Sequence, residues 1–524
     1  MSGQLPTYTR SEVAKHCTQD SAWIIIDDGV YDVTKFAAMH PAGENIIMAG
    51  AGKDQTKDFW GLHRGEVLDK FKHLRVGNVE GVKPLARPTW SDVSPIMYAE
   101  APHMRNGWNS PFHKPDLKEF RLAVRRFIEE NVKPWADRAE ETEEQPSDEF
   151  MQMLGREGFL AALLGPGPHL KIPPRLPGGV KPEEFGPWHE AVLLEEWGRL
   201  CSYGPMDGVG GGLCIGLTVV MHFHHDRQVA ERITRETLLG EKRICLAVTE
   251  PFAGSDVAGV RLTAARSPDG THYVLNGVKK WITTSRLTDY IVTLARTGGP
   301  GAGGLSYLIV ERKKVEGITV KPLNVLYQKS AGTSLVVYED VKVPASMLVG
   351  GKEGQGFAQA MVNFSKERLF MVNRQVGMLR AVMDETWRWG LQREAFGRPL
   401  IEQPVVAFKI GELTARIEAL TAWYEAITHQ MAVQGFKKGG ENLSGDIALL
   451  KYESTRVGTL VADTVPDIFG GRGLTQQGMG RIAARFLRTF KFPAILGGDE
   501  NILCAQGVKL ALRAYAKTGQ QARL

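Results

Sequence analysis

Residues 247–259 read AVTEPFAGSDVAG, and residues 273–284 read YVLNGVKKWITT. The first run is a polar loop with two glycines, and the Asn-Gly pair in the second run predicts a β-hairpin turn. Trp281 stands near the end of the second run, with the hydroxyl of Thr283 two positions later. A flat redox-active ring needs such a surface, which offers a stacking face and hydrogen bonds to ring heteroatoms. Either run alone would be typical of an ordinary β-domain.

The bulk composition bounds the class of protein. A chain of 524 residues is too long for one hydrophobic core, so two or more domains are expected. No apolar run has the length of a membrane-spanning helix, and the polar start lacks the apolar core of a secretory signal. The five cysteines contain no Cys-x-x-Cys pair, which indicates free thiols in a reducing compartment.

The net charge of +5 divides unevenly along the chain. Residues 1–80 carry 9 basic and 11 acidic side chains, whereas the remainder carries 55 and 48. An acidic head docked on a basic body and two independently solvated surfaces are equally compatible with this division.

The head, residues 1–80, has strand patterns on both sides of a turn at Asp27-Asp28-Gly29, which predicts a hairpin. His40 and His63 stand among apolar residues, and haem iron binds two imidazoles that point into an apolar slot. Taken alone, two histidines are more often surface or core residues. The motif His-Pro-Ala-Gly at 40–43 resembles the His-Pro-Gly-Gly signature of cytochrome b5, with Ala42 in place of one glycine. This resemblance covers about residues 6–80 and implies that His40 and His63 are the axial ligands of haem b.

Beyond the head, the pattern predicts four further segments. Residues 81–115 are rich in proline, from Pro84 and Pro88 onward, and predict a semi-rigid extended linker, with a segment that wraps the surface of the following domain as the alternative. Helical spacing predicts an N-terminal helical domain at 116–243, in which the glycine run at 208–212 should be flexible and open a helix. A central β domain is expected at 244–355 and a C-terminal helical domain at 356–524.

Residues 247–259 and 273–284, taken together, resemble the signature of acyl-CoA dehydrogenases, and the likeness covers roughly residues 116–515. It implies a helical domain, a central β-barrel-like domain and a C-terminal four-helix bundle. It also implies FAD as cofactor and assembly into a homodimer or homotetramer. The residues that the resemblance assigns to the flavin are Thr249, Ser255, Trp281, Thr283, Arg393, Phe396, Asp467, Gly470, Gly471, Asp499 and Asn501. Many members have glutamine where Asp467 and Pro404 stand.

The position of the catalytic base departs from the commonest pattern. Most members carry the catalytic glutamate where this chain has Gly497, which has no side chain to accept a proton. A minority, including isovaleryl-CoA and long-chain acyl-CoA dehydrogenases, have a small residue there and glutamate where Glu367 stands. A carboxylate on an apolar helix stripe becomes a stronger base through desolvation. We therefore predict Glu367 as the base, with Asp499 and Glu500 as alternatives.

The resemblance places Arg368 near the active site as an organiser that helps to bind substrate. The backbone N–H of Gly497 is suited to bind the thioester carbonyl. Without the resemblance, Glu367 would more simply be a helix carboxylate paired with a cation such as Arg368.

The reaction implied is α,β-dehydrogenation of an acyl-CoA to the 2-enoyl-CoA, with electrons passing from flavin to the fused haem. Electron-transferring flavoprotein, O2 or another haem protein are the candidate external acceptors. Two alternatives remain open at this stage: an O2-using acyl-CoA oxidase or related hydroxylase, and a non-enzymatic DNA-binding member of the superfamily. We expect neither a membrane span nor nucleic-acid binding. The C-terminal Ala522-Arg523-Leu524 resembles a peroxisomal address, and the cytoplasm is the alternative location.

Overall fold

The structure is a computed structural model that describes residues 5–83, 93–327 and 329–517. The predictions for Pro84, Pro88 and the C-terminal tripeptide fall outside these residues. The chain divides into two compact units. The first comprises Met1–Asp92, Glu385–Lys409 and Val465–Ala484, and the second comprises Val93–Asp384, Ile410–Thr464 and Arg485–Leu524.

The head of the first unit is an α+β domain, as predicted. Its five-stranded sheet has the order β1-β5-β4-β3-β2. Asp27 and Asp28 connect β3 to β4 in an antiparallel hairpin, with Asp27 at φ 54°, so the predicted turn is confirmed. The elements are β1 (Thr7–Tyr8), α1 (Arg10–Val13), β2 (Cys17–Thr18), β3 (Ser21–Ile26), β4 (Gly29–Asp32), α2 (Glu44–Gly50), α3 (Thr56–Leu62), α4 (Gly65–Lys70) and β5 (Arg75–Val79).

The described part of the predicted linker packs as core in the second unit. Ala99, Ala101 and Met104 are buried, and both carboxylate oxygens of Glu100 accept from Arg125 at 2.7 and 2.8 Å. Residues 93–114 therefore pack against the helical body, the alternative that the sequence left open, because small and apolar residues between the prolines find partners there.

The N-terminal helices of the second unit follow the predicted periodicity. They are α5 (Pro115–Phe127), α6 (Lys133–Thr142), α7 (Asp148–Arg156), α8 (Phe159–Ala162), α9 (Pro187–Gly198), α10 (Tyr203–Gly212), α11 (Thr218–Phe223) and α12 (Arg227–Leu238). The prediction for the glycine run is wrong, because Gly208–Gly212 lies within α10 and is largely buried. A Cβ on Gly208 would come within 2.3 Å of the Ser330 carbonyl oxygen, so close packing explains this glycine.

One continuous helical stretch in the described residues, Tyr203–Phe223, runs from α10 through a π-helical turn at Leu213–Leu217 into α11 and is long and apolar enough to cross a membrane by length and composition. Its most apolar window is 72% buried inside the protein, which is typical of a core helix.

The central β domain contains a seven-stranded sheet of order β10-β9-β7-β8-β12-β11, with β6 paired to β9. The strands are β6 (Ile244–Ala247), β7 (Thr263–Arg266), β8 (His272–Ile282), β9 (Tyr290–Arg296), β10 (Leu305–Glu311), β11 (Ile318–Pro322) and β12 (Ser334–Pro344).

The predicted hairpin turn at Asn276-Gly277 is wrong. Both residues lie inside β8, where the pairing with β12 shifts register between Tyr338 and Val341. Gly277 has φ +143°, and the Asn276 side chain bonds the side chain and backbone of Asp340 at 2.9 Å. The Asn-Gly pair thus lies at a bulge-like shift of register within a strand and does not reverse the chain.

The C-terminal region is helical, as predicted, and its longest helices are α13, α14, α16 and α19. The elements are α13 (Gly356–Gln392), β13 (Glu394–Ala395), β14 (Arg398–Pro399), α14 (Pro404–Gln434), α15 (Phe436–Asn442), α16 (Ser444–Phe469), α17 (Arg481–Thr489), α18 (Lys491–Ile495) and α19 (Glu500–Lys517).

Candidate active site and haem site

Glu367 and Gly497 lie together in the second unit. A Cβ built on Gly497 would be 3.7 Å from Glu367 Oε1 and 2.8 Å from the sulfur of Met371. The carboxylate on α13 thus reaches the position at which a side chain on residue 497 would begin. Gly497 has φ +67°, which also favours glycine.

Burial raises the pKa of Glu367 to about 7, against the opposing charges of Arg368 and Lys451. A carboxyl group with this pKa changes protonation near neutral pH, and general bases work best when their pKa lies near the working pH. Perturbed carboxyl groups of this kind are enriched at catalytic sites.

Two buried cations hold the loop that contains Gly497. Arg368 Nε donates to the Gly497 carbonyl at 3.0 Å, and Lys451 Nζ donates to the Gly498 carbonyl at 2.7 Å. Lys451 is fully buried, and burial lowers its pKa to about 8. Sequence reasoning missed Lys451, although a lysine next to the apolar run Ile447–Leu450 was a detectable signal.

The two alternative bases have structural partners. Asp499 Oδ1 accepts from the backbone N–H of Asn501 at 3.0 Å, in the manner of a helix cap at the start of α19. Glu500 is buried and accepts from the Thr455 hydroxyl at 2.9 Å. These contacts favour Glu367 over both as the proton acceptor.

A buried ion pair joins the two runs that resemble the flavin signature. Lys279 Nζ lies 2.8 Å from Glu250 Oε1, and Glu250 also accepts from the backbone N–H groups of Arg261 and Leu262 at 2.7 and 2.9 Å. Burial lowers the pKa of Lys279 to about 8. Sequence reasoning missed this pair, which links residues 247–259 to β8.

The residues assigned to the flavin ring lie at the edge of this β domain. Trp281 has φ +60° and is 48% exposed, and the Lys280 ammonium lies over its indole ring, 4.7 Å from the ring centroid. Thr249 and Thr283 are partly buried, whereas Ser255 and Asn501 are exposed. A half-exposed indole and hydroxyl-bearing residues are chemically suited to a flat heterocycle such as flavin.

The residues assigned to the flavin pyrophosphate lie in the first unit. Phe396 stands between β13 and β14 at φ +54° and is 96% exposed, and Arg393 is also exposed. Cβ atoms on Gly470 and Gly471 would meet nothing within 4 Å in the described chain, so intrachain packing does not explain these glycines. Asp467 lies 2.9 Å from Lys409 Nζ. The open backbone and the guanidinium fit a phosphate-bearing cofactor.

His40 and His63 come together in the head, as predicted. Their ring centroids are 6.0 Å apart with the planes at 83°, and His40 Nδ1 is buried without a hydrogen-bond partner among the described residues. Burial, followed by the nearby His40, lowers the pKa of His63, which keeps its nitrogen free to bind a metal. Phe36 and Phe59 lie beside the two rings. The facing imidazoles and apolar walls fit haem.

A second cluster of potential metal ligands comprises His103, His113 and Glu425, whose ligand atoms lie within 4.8 Å of one another. The two imidazoles stack at 3.6 Å with 8° between their planes, so their lone pairs run parallel instead of converging on one point. His113 Nε2 lies 3.1 Å from Glu425 Oε1. The geometry describes a histidine–carboxylate pair rather than a metal centre.

Comparison with sequence models of protein families matches four segments of the chain. Residues 9–80 match the cytochrome b5-like heme/steroid binding domain. Residues 114–234, 245–341 and 354–511 match the N-terminal, middle and C-terminal domains of acyl-CoA dehydrogenase.

The curated relatives include acyl-CoA dehydrogenase apdG of Emericella nidulans, 34% identical over 81% of this chain and 97% of that protein. Acyl-CoA dehydrogenase AFT10-1 of Alternaria alternata is 27% identical over 81% of this chain and 95% of that protein. Among solved structures, acyl-CoA dehydrogenase from Geobacillus kaustophilus has a TM-score of 0.65 at 24% identity, covering 76% of this chain and 100% of that one. This last likeness supports the fold.

Proposed function

The chain belongs to the acyl-CoA dehydrogenase family and carries a cytochrome b5-like head, and from this premise we propose that it dehydrogenates an acyl-CoA with Glu367 as base. FAD and haem are the cofactors of the two families. When bound, FAD would supply a two-electron acceptor for the β-hydrogen, and haem would supply a one-electron acceptor.

The single observation that carries the proposal is the distance of 3.7 Å between Glu367 Oε1 and the Cβ position of Gly497. The carboxylate takes up the α-proton of the thioester, and its raised pKa of about 7 strengthens it as a base. Arg368 and Lys451 hold the carbonyls of residues 497 and 498, and we propose that the backbone N–H of Gly497 donates to the thioester oxygen.

The experiment is anaerobic mixing of the holoprotein with acyl-CoA thioesters while flavin absorbance is followed. Wild type should lose flavin absorbance, and Glu367→Gln should lose it 10²- to 10⁴-fold more slowly, about the contribution of a positioned general base. Equal rates in the two proteins would refute Glu367 as the base.

We further propose that the head receives electrons within the same chain. Within the first unit, Arg64, the neighbour of His63, forms a bidentate pair with Glu385 at 2.5 and 2.6 Å, and both side chains are buried. Glu66 bonds Arg481 at 2.9 Å, and Lys57 bonds Glu394 at 2.6 Å. These pairs attach the head to the two segments that also contain the predicted pyrophosphate residues.

The same rapid-mixing experiment tests this electron route. Haem reduction should follow the loss of flavin absorbance, and a haem spectrum that stays oxidised throughout would refute the route. Peroxide formed at turnover in air, without haem reduction, would instead support an O2-using oxidase.

The proposed enzyme is a homodimer or homotetramer. Support comes from large apolar side chains that the first unit leaves in solvent, since Phe396, Phe408 and Leu474 are 96%, 71% and 71% exposed. Light scattering checks the mass, and charged substitutions at Phe408 should lower it.

A further inference from the structure

The face of α13 that carries Glu367 becomes polar two turns later. Arg374 and Gln375 are each 2% exposed, and both contact α10. Arg374 Nη1 pairs with Asp207 Oδ1, and the Tyr203 hydroxyl donates to Gln375 Oε1. Asp207 is itself 4% exposed, so the ion pair is removed from solvent.

Several polar atoms of this cluster remain unsatisfied. Asp207 Oδ2, Arg374 Nε and Gln375 Nε2 are buried and have no hydrogen-bond partner among the described residues. Burying an unmatched polar group is unfavourable, and a buried ion pair is often no more stable than apolar residues of similar volume. The free energy of folding alone therefore does not explain why these polar side chains are buried together.

The cluster adjoins the proposed reaction site. Glu367 and Arg374 are seven residues apart, so they share one helix face at a separation of about 10 Å along the axis. The charges of Asp207 and Arg374 both act on the Glu367 carboxyl group. Asp207 also lies close to Thr283, one of the residues assigned to the flavin, because a Cβ built on Gly211 would be 3.2 Å from Asp207 Cβ and 3.1 Å from Thr283 Cγ2.

We infer that Asp207, Arg374 and Gln375 form a subsite for a hydroxyl group on the acyl chain, remote from the thioester. This inference rests on the proposed dehydrogenation and names its substrate class as hydroxyacyl-CoA. A hydroxyl both donates and accepts, so it can donate to Asp207 Oδ2 and accept from Arg374 Nε or Gln375 Nε2. An unsubstituted chain would leave these groups unpaired, and sites of that kind discriminate strongly against the analogue that lacks the hydroxyl.

The test compares straight-chain acyl-CoAs of six to twelve carbons with their ω-hydroxy counterparts on the wild-type holoprotein. The readout is the second-order rate of flavin reduction without oxygen. At the best chain length we expect the hydroxylated substrate to react at least about 100-fold faster, a conservative figure for such a site. A ratio near one at every length would overturn the subsite and favour ordered water as the partner of the unsatisfied atoms.

Substitutions in the cluster test whether Asp207 and Arg374 bind the hydroxyl group. The double substitution Asp207→Leu with Arg374→Met removes both charges together, so neither is left buried alone. It should lower the hydroxyl preference toward one, whereas Glu190→Gln, a change to a half-buried carboxyl group on α9, should keep it. Because the double variant could fold poorly, the wild-type substrate ratio stands as a separate test. If neither series of thioesters reduces the flavin, the proposed dehydrogenation fails and the subsite with it; equal reduction by both overturns the subsite alone.

Discussion

Replacing Glu367 by glutamine should slow flavin reduction and stabilise the fold at the same time. Burial holds the pKa of Glu367 at about 7 instead of its ordinary 4.5. Since one pH unit corresponds to about 1.4 kcal/mol, ionising this group in the folded protein costs about 3 kcal/mol. Glutamine keeps the shape and carries no charge at any pH.

The sign of the pH dependence follows from proton binding. Between pH 4.5 and about 7 the folded protein retains a proton that the unfolded chain releases, so wild-type stability falls as pH rises through this window. Glu367→Gln lacks this contribution. Relative to wild type it should gain up to about 3 kcal/mol in free energy of unfolding at pH 8, and almost nothing near pH 4.5.

The assay is denaturant unfolding of both holoproteins at several pH values, together with the rate of flavin reduction by acyl-CoA. The rate should fall 10²- to 10⁴-fold, or about 3–5 kcal/mol in activation free energy. Glu190→Gln is the matched control, because burial also raises the pKa of Glu190. Relative to wild type, Glu190→Gln should also gain free energy of unfolding as pH rises. It should retain flavin reduction.

The reasoning fails if Glu367→Gln is less stable than wild type at pH 8. That result would show a carboxylate stabilised by Arg368 or Lys451 in a structural ion pair, with no strengthened base. A stability difference that does not change with pH would contradict the assigned pKa.

Three further predictions concern the head and the loop cations. His63→Ala should abolish the haem spectrum while acyl-CoA still reduces the flavin; loss of both would contradict separate roles. Arg64→Ala leaves Glu385 buried without its bidentate partner and should lower the denaturant concentration at which the head unfolds, since breaking such a pair costs about 3–5 kcal/mol. Haem absorbance during unfolding checks this, and removing both partners should restore most of the loss; a single variant that unfolds like wild type would count against a structural pair. Lys451→Met removes a charge that lowers the pKa of Glu367, so the midpoint of the pH–rate profile should move upward from about 7; an unchanged midpoint would show that the two groups are uncoupled.

Local patterns predicted the elements better than they predicted turns and connections. The hairpin at Asp27-Asp28 was confirmed because a buried apolar strand flanks the turn on each side. Asn276-Gly277 carries an equally strong turn signal, yet β8 continues through it because β12 pairs with both halves of the strand. The glycine run of α10 resembled a flexible segment, but backbone carbonyl oxygens of Ser330 and Ile244 come too close to Gly208 and Gly212 to admit a side chain at either position.

Short motifs in the sequence sufficed to identify the two families, to pick out the histidine pair of the head and to predict a base at Glu367 from the glycine at position 497. These features are carried by residue identity within short motifs. Three contacts became visible only in the folded chain: the Glu367 carboxylate reaches Gly497, Lys451 holds the loop, and Asp207 meets Arg374. Those contacts join residues far apart in the chain, and desolvation depends on everything packed around a group, which no short motif records.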